Sequence, residues 1–160
     1  MPKIKATKIE DIKDAQYGDF IFFTPTSSLF SRLIPIIDGS PYSHVGMYLG
    51  RKYGHNLFIE SQDGVGVVIN RLQEWRNYTI IRVDTPIMPI SKVLEELGKP
   101  YDRRKIVAFL LNKLFGVPLI ADDNHAHVCS ELINFITYYK MTEKGFATPK
   151  TLLDNVVFTN

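Results

Sequence analysis

Cys129 is the only cysteine in the 160-residue chain, and it stands where the polar run "DDNHAHV" gives way to the apolar "CSELINF". Val128, Leu132, Phe135, Ile136 and Tyr139 recur at helical spacing, which predicts an amphipathic helix over about Cys129–Tyr139 with Cys129 in its first turn. At that place the unpaired backbone N–H groups and the positive end of the helix dipole favour a thiolate, and the cysteine's own N–H can donate to an oxyanion. Packing is the alternative, since buried structural cysteines are common.

A base for such a thiolate is found in "SHVGMYLGRKYGHNLFIES". Gly50 and Gly54 flank three residues that read as a hairpin loop about Lys52, setting His44 opposite Glu60, Gly46 opposite Phe58 and Tyr48 opposite Asn56. Directly opposed residues have Cβ atoms about 4.5–5.5 Å apart, so the imidazole and the carboxylate are neighbours. The other face, Val45, Met47, Leu49, Leu57 and Ile59, is apolar and predicted to meet the core. Gly46 is expected to leave room for a substrate or a helix end. A solvated cross-strand polar pair explains His44 and Glu60 equally well if the hairpin stands alone. With Cys129 they make a candidate set of nucleophile, base and orienting carboxylate. Tyr42 and Ser43, just before His44, are candidates to line the cleft and touch substrate.

These elements fall into two textures. From Gly18 to Val83 the chain holds short β-rich runs ("GDFIFFT", "SHVGMYLG", "NLFIES", "VGVVIN", "YTIIRV"), which predict an antiparallel sheet. After Pro86 the spacing turns helical: Ile90–Leu97 ended by Gly98, Asp102–Phe115 ended by Gly116, and the cysteine helix. Strands followed by helices indicate α+β. "SSLFSRLIPIIDG" is either a short helix broken before Pro35 or an apolar loop. No repeat or linker-like tract divides residues 1–160, so one domain is expected.

A 45% hydrophobic, 12% aromatic composition suits one packed core, and a net charge of +2 without a basic stripe argues against nucleic-acid binding. The lysine-bearing start lacks the apolar stretch of a signal peptide, and no run approaches the ~20 apolar residues of a membrane helix, so a cytoplasmic protein is expected. One cysteine forms no internal disulfide and suits a reducing compartment.

Asp123, His125, His127 and Cys129 alternate, which permits a metal site only in an extended segment. A helix starting at Cys129 would break that alternation, and no metal or organic cofactor is expected. His127 is expected near the site mouth and His55 on an exposed hairpin end. Glu131 complements the helix dipole. Asp19 orients local backbone, and the aromatics Tyr17, Phe20, Phe22, Phe23, Tyr42 and Trp75 are expected mainly in the core.

Gly18–Asp19, "SHVGMYLG", "FIESQDGVGV", "GKPYD" and "CSELI", in that order over about residues 17–140, resemble the permuted branch of the papain-like NlpC/P60 superfamily. The likeness is to its YiiX/YebB-like, poxvirus-related group of cysteine amidases and peptidases. It implies a circularly permuted papain-like fold, an antiparallel sheet or barrel packed against helices with the catalytic cysteine at a helix N-terminus. It also implies Cys129 as nucleophile, His44 as base, Glu60 as third residue, and Tyr101 near the oxyanion or the substrate amine. The expected activity is amide hydrolysis through a thioacyl-enzyme, on a peptide, an isopeptide, a cell-wall-type peptide or an acylated small molecule. The branch also holds lipid acyltransferases resembling lecithin retinol acyltransferase, so acyl transfer or thioester cleavage with lipid contact is the alternative. A binding module of the same fold without turnover is the third.

Overall fold

The computed structural model describes residues 3–26, 29–118, 126–142 and 147–159. Its strands are β1 (Ile4–Ile9), β2 (Phe20–Phe23), β3 (His44–Lys52), β4 (His55–Gln62), β5 (Gly66–Arg71), β6 (Tyr78–Val83) and β7 (Val156–Phe158). Its α-helices are α1 (Leu29–Asp38), α2 (Ile90–Leu94), α3 (Arg103–Phe115), α4 (Cys129–Ile136) and α5 (Pro149–Asp154). The strands form one mixed sheet in the order β5-β4-β3-β2-β6-β1-β7. It is antiparallel except at one edge, where β7 runs parallel to β1. That pairing corrects the purely antiparallel expectation: the two ends of the chain meet side by side, which no local pattern announces.

Alternation in β2 sorts the core. Phe20 and Phe22 join Val45, Met47 and Ile59 on the face covered by Leu132, Ile133 and Ile136 of α4. Ile21 and Phe23 join Tyr48, Phe58 and Ile80 on the other. A strand buried on both faces reads as a continuous apolar run, as "FIFF" does. At its start, Asp19 is buried and accepts from the Gln16 N–H at 2.8 Å and from Arg82 through both oxygens, Nε to Oδ1 and Nη2 to Oδ2, each at 2.8 Å.

Helix α3 carries the expected caps, whereas α2 ends at Leu94 with Glu95 as its C-cap, short of the expected Leu97 and Gly98. Asp102 Oδ1 accepts from the Arg104 and Lys105 N–H groups at the start of α3, and Gly116 closes it at φ +69°. The segment α1 is helical through Pro35, contrary to a break before it; the ring forfeits one backbone bond, and the Gly39 N–H bonds the Pro35 carbonyl at 2.8 Å. Helix α4 stops at Ile136, short of Tyr139. Tyr138 and Tyr139 take φ of +54° and +57°, and the Asn134 amide turns to bond Thr142. Among the described residues, no helix is long and apolar enough to cross a membrane.

Candidate active site

The β3–β4 hairpin closes through a two-residue turn, not three. Tyr53 and Gly54 both have positive φ (+51° and +78°), as a tight type I′ turn requires, and Lys52 pairs with His55. A bulge at Leu49 then shifts the register, so Met47 opposes Ile59 and Tyr48 opposes Phe58. The expected pairing is therefore displaced by two residues. A displacement of two preserves the pleat parity, so His44 and Glu60 still share a face, now on a diagonal. His44 Nε2 is hydrogen-bonded to Glu60 Oε2, and Glu60 Oε1 accepts from Asn70 Nδ2 of β5 at 2.6 Å. Asn70 escaped the sequence reading because it stands on β5, two strands from His44. Gly46 serves a different purpose from the expected one: a Cβ there would lie 2.7 Å from the Phe58 ring and 2.8 Å from the Ile59 carbonyl oxygen, so β4 itself fills the space.

Cys129 is the first residue of α4, beside the start of β3. The His44 ring and the backbone N–H groups of Val45 and Ser130 are the groups that act on its sulfur to favour the thiolate. The imidazole thus lies between a carboxylate and a thiol. Burial pulls the His44 pKa down, but the Cys129 charge and hydrogen bond, joined by Glu60, outweigh it and push the value up to about 10. Burial likewise raises the Cys129 thiol, and the facing imidazolium with the two backbone donors brings it below its ordinary value. Glu60 is held below the usual carboxylate range, because the His44 and Asn70 hydrogen bonds overcome burial. The arrangement favours a thiolate beside an imidazolium.

The segment leading into α4 is fastened from three sides, by Ser61, which the sequence reading did not single out, by Pro100, and by Glu131, which was expected only to complement the helix dipole. Ser61 Oγ donates to the His127 carbonyl at 2.5 Å, the His127 N–H donates to the Pro100 carbonyl at 3.2 Å, and Glu131 Oε2 accepts from the Val128 N–H at 3.3 Å and from Lys105 Nζ at 3.0 Å. His127 is not at the site mouth. It is buried, bonded through Nε2 to Glu96 Oε2 at 2.9 Å and stacked near Phe135, and burial lowers its pKa. Asp123 and His125 lie outside the described residues, while His127 and Cys129 turn to different partners. Among the described residues no group of three His, Cys, Asp or Glu is placed to hold a metal.

"GKPYD" is seated by β5. The Val67 N–H bonds the Lys99 carbonyl and the Gly98 N–H bonds the Val67 carbonyl, each at 2.9 Å. This loop delivers Tyr101 to the site: the Tyr101 hydroxyl feels the Cys129 charge, and burial first, then that charge, raises its pKa. Tyr101, Ser43, His44 and Glu60 line a cleft of about 990 Å³ whose walls include the apolar Ile34, Leu57, Phe58, Ile69, Ile106 and Val107. Cys129, 5% exposed, is not among the residues that line that cleft. Ser43 shares a hydrogen bond with Ser31 at 3.0 Å. Tyr42 is placed elsewhere, its ring near Phe22 and its hydroxyl on Thr79 at 3.0 Å. Trp75 is 77% exposed on the cleft wall and not in the core; Tyr17 is at the surface, with its hydroxyl on the Met88 carbonyl. His55 is exposed.

A family model described as a permuted papain-like amidase enzyme, YaeF/YiiX, C92 family, matches residues 14–151, most of the chain. The matched span contains His44, Glu60, Tyr101 and Cys129 and leaves out β1 and β7. No curated protein matches the chain.

Proposed function

The chain belongs to the permuted papain-like amidases of the YaeF/YiiX, C92 family and is an enzyme of that kind, and from that premise we propose that it hydrolyses an amide through a Cys129–His44–Glu60 triad. The observation that carries this reading is the His44 ring, bonded to Glu60 on one side and facing the Cys129 sulfur on the other. Glu60 occupies Nε2 and leaves Nδ1 to exchange a proton with the sulfur. The Cys129 thiolate attacks the amide carbonyl, and the oxyanion is held by the Cys129 N–H and the Tyr101 hydroxyl. As the C–N bond breaks, His44 gives its proton to the leaving nitrogen, producing a free amine and a thioester on Cys129. Water then attacks the thioester and gives a proton to His44. The C–S bond breaks, releasing the acid and restoring the thiolate–imidazolium pair.

The substrates we propose are a peptide, an isopeptide, a cell-wall-type peptide or an acylated small amine. The order of motifs supports placing this family beside the NlpC/P60 hydrolases. Mass-resolved hydrolysis of a peptide-amide library tests the reading: Cys129→Ala and His44→Ala abolish turnover, Glu60→Gln lowers it less, and all three keep the fold. Wild-type turnover by Cys129→Ala would refute the mechanism. The apolar cleft walls favour one second reading, acyl transfer from a lipid ester, which predicts a stable long-chain acyl group on Cys129 in intact mass spectra.

A further inference from the structure

Arg76 stands in the loop between β5 and β6 and lines the cleft, half-buried. Its guanidinium carbon sits 4.0 Å from the centre of the Phe23 ring, and that ring's centre is 5.7 Å from the centre of the His44 ring. Among the described residues its guanidinium makes no ion pair and no hydrogen bond, whereas Arg103 on the same cleft is bonded to Asp63 at 2.7 Å and Arg82 to Asp19. Glu60 is the acidic group whose charge reaches Arg76, but its two oxygens are already engaged by His44 and Asn70. A half-buried guanidinium that has no ion-pair or hydrogen-bond partner among the described residues is open to an anion supplied from outside, and its planar fork fits a carboxylate bidentately.

Resting on the triad reading above, we propose that Arg76 binds a carboxylate carried by the leaving group, so that the substrates are amides whose released amine is an amino acid with a free α-carboxylate. His44 fixes the side. It delivers its proton to the leaving nitrogen, and Phe23 carries Arg76 beside His44, whereas Tyr101 and the Cys129 N–H attend the carbonyl oxygen. The carboxylate next to Arg76 is therefore on the amine half of the scissile bond. Trp75, the preceding residue, borders the same part of the cleft and offers an aromatic surface to the leaving side chain.

The test compares N-acetyl dipeptides covering all leaving residues, as free C-terminal carboxylates and as the matched C-terminal carboxamides. Wild type should prefer the best carboxylate over its carboxamide by about tenfold or more in kcat/KM, the size of one charge-assisted hydrogen-bonded pair. Arg76→Gln should bring that ratio close to one, and Arg76→Lys should keep part of it. Equal use of both panels by wild type, or a loss in Arg76→Gln that is the same for both, would overturn the proposal and leave Arg76 as packing on Phe23. Calorimetric binding of the same pairs to Cys129→Ala separates this from the amidase reading. Discrimination in binding without wild-type hydrolysis sinks the triad and keeps the Arg76 site; hydrolysis without discrimination in either assay does the reverse.

Discussion

Gly66→Ala tests whether the loop that carries Tyr101 is held by close backbone contact. An added Cβ would lie 2.3 Å from the Lys99 carbonyl oxygen, 3.2 Å from its carbon and 3.3 Å from the Pro100 Cα, at a φ of +99°. The backbone conformation alone costs a non-glycine residue about 1–2 kcal/mol. The oxygen cannot stay, so the Val67 N–H bond to Lys99 is lost and the Gly98 N–H bond to Val67 is strained, at about 0.5–1.5 kcal/mol each. The sum, roughly 2–5 kcal/mol, corresponds to a Tm decrease of about 5–15 °C for a chain of this size. Gly39→Ala is the control, because it shares a positive φ of +70° but meets nothing within 4 Å, so only the conformational cost applies. Amide hydrolysis should fall in Gly66→Ala and persist in Gly39→Ala, since Pro100 and Tyr101 follow the displaced carbonyl directly. Equal Tm values for the two variants, with activity retained in Gly66→Ala, would refute the reasoning.

Ser61→Ala removes the donor to the His127 carbonyl; with Ser61 fully buried, it should cost about 1–2 kcal/mol in chemical denaturation and slow Cys129 alkylation about tenfold by loosening the turn before α4. An unchanged alkylation rate would reduce that bond to ordinary stability. Asp19→Ala breaks the Arg82 pair and should destabilise by about 2–3 kcal/mol, below the ~3–5 of a fully buried pair because the Arg82 side chain keeps 37% exposure, without altering the pH profile of alkylation. For hydrolysis, His44 has a raised pKa, so its proton is present below about 10 and lost above it; Cys129 has a lowered pKa, so the thiolate is lost as pH falls through it. The kcat/KM profile should be a bell with its alkaline limb near pH 10, and an alkaline limb near the ordinary histidine pKa of about 6.5 would contradict the assignment.

Parity explains why the His44–Glu60 pair was legible although the hairpin register was not. Apolar and polar positions alternate along β3 and β4, and any even slip leaves both side chains on one face. The start of α4 and the caps of α3 were equally readable, since apolar periodicity, Asp102 and Gly116 act within a turn or two. What lay beyond reach depends on contacts between distant segments. The bulge at Leu49, the occupation of the space beside Gly46 by Phe58, the β1–β7 pairing and the commitments of Ser61, Glu96 and Asn70 have no local signature. Trp75 and Tyr42 exchanged their expected surroundings for a similar reason: an aromatic residue tells its size but not which loop or neighbour will cover it.

Amide hydrolysis by this site depends first on His44 holding Cys129 as a thiolate. The most direct measurement of this is the rate of iodoacetamide labelling of Cys129 across pH 4 to 9, followed by intact mass, in wild type and His44→Ala. Wild type should label rapidly well below the ordinary thiol pKa of about 8.5, and His44→Ala should return the profile to that of an ordinary thiol. A wild-type profile that itself follows the ordinary thiol titration, or one that His44→Ala leaves unchanged, would contradict that role of His44.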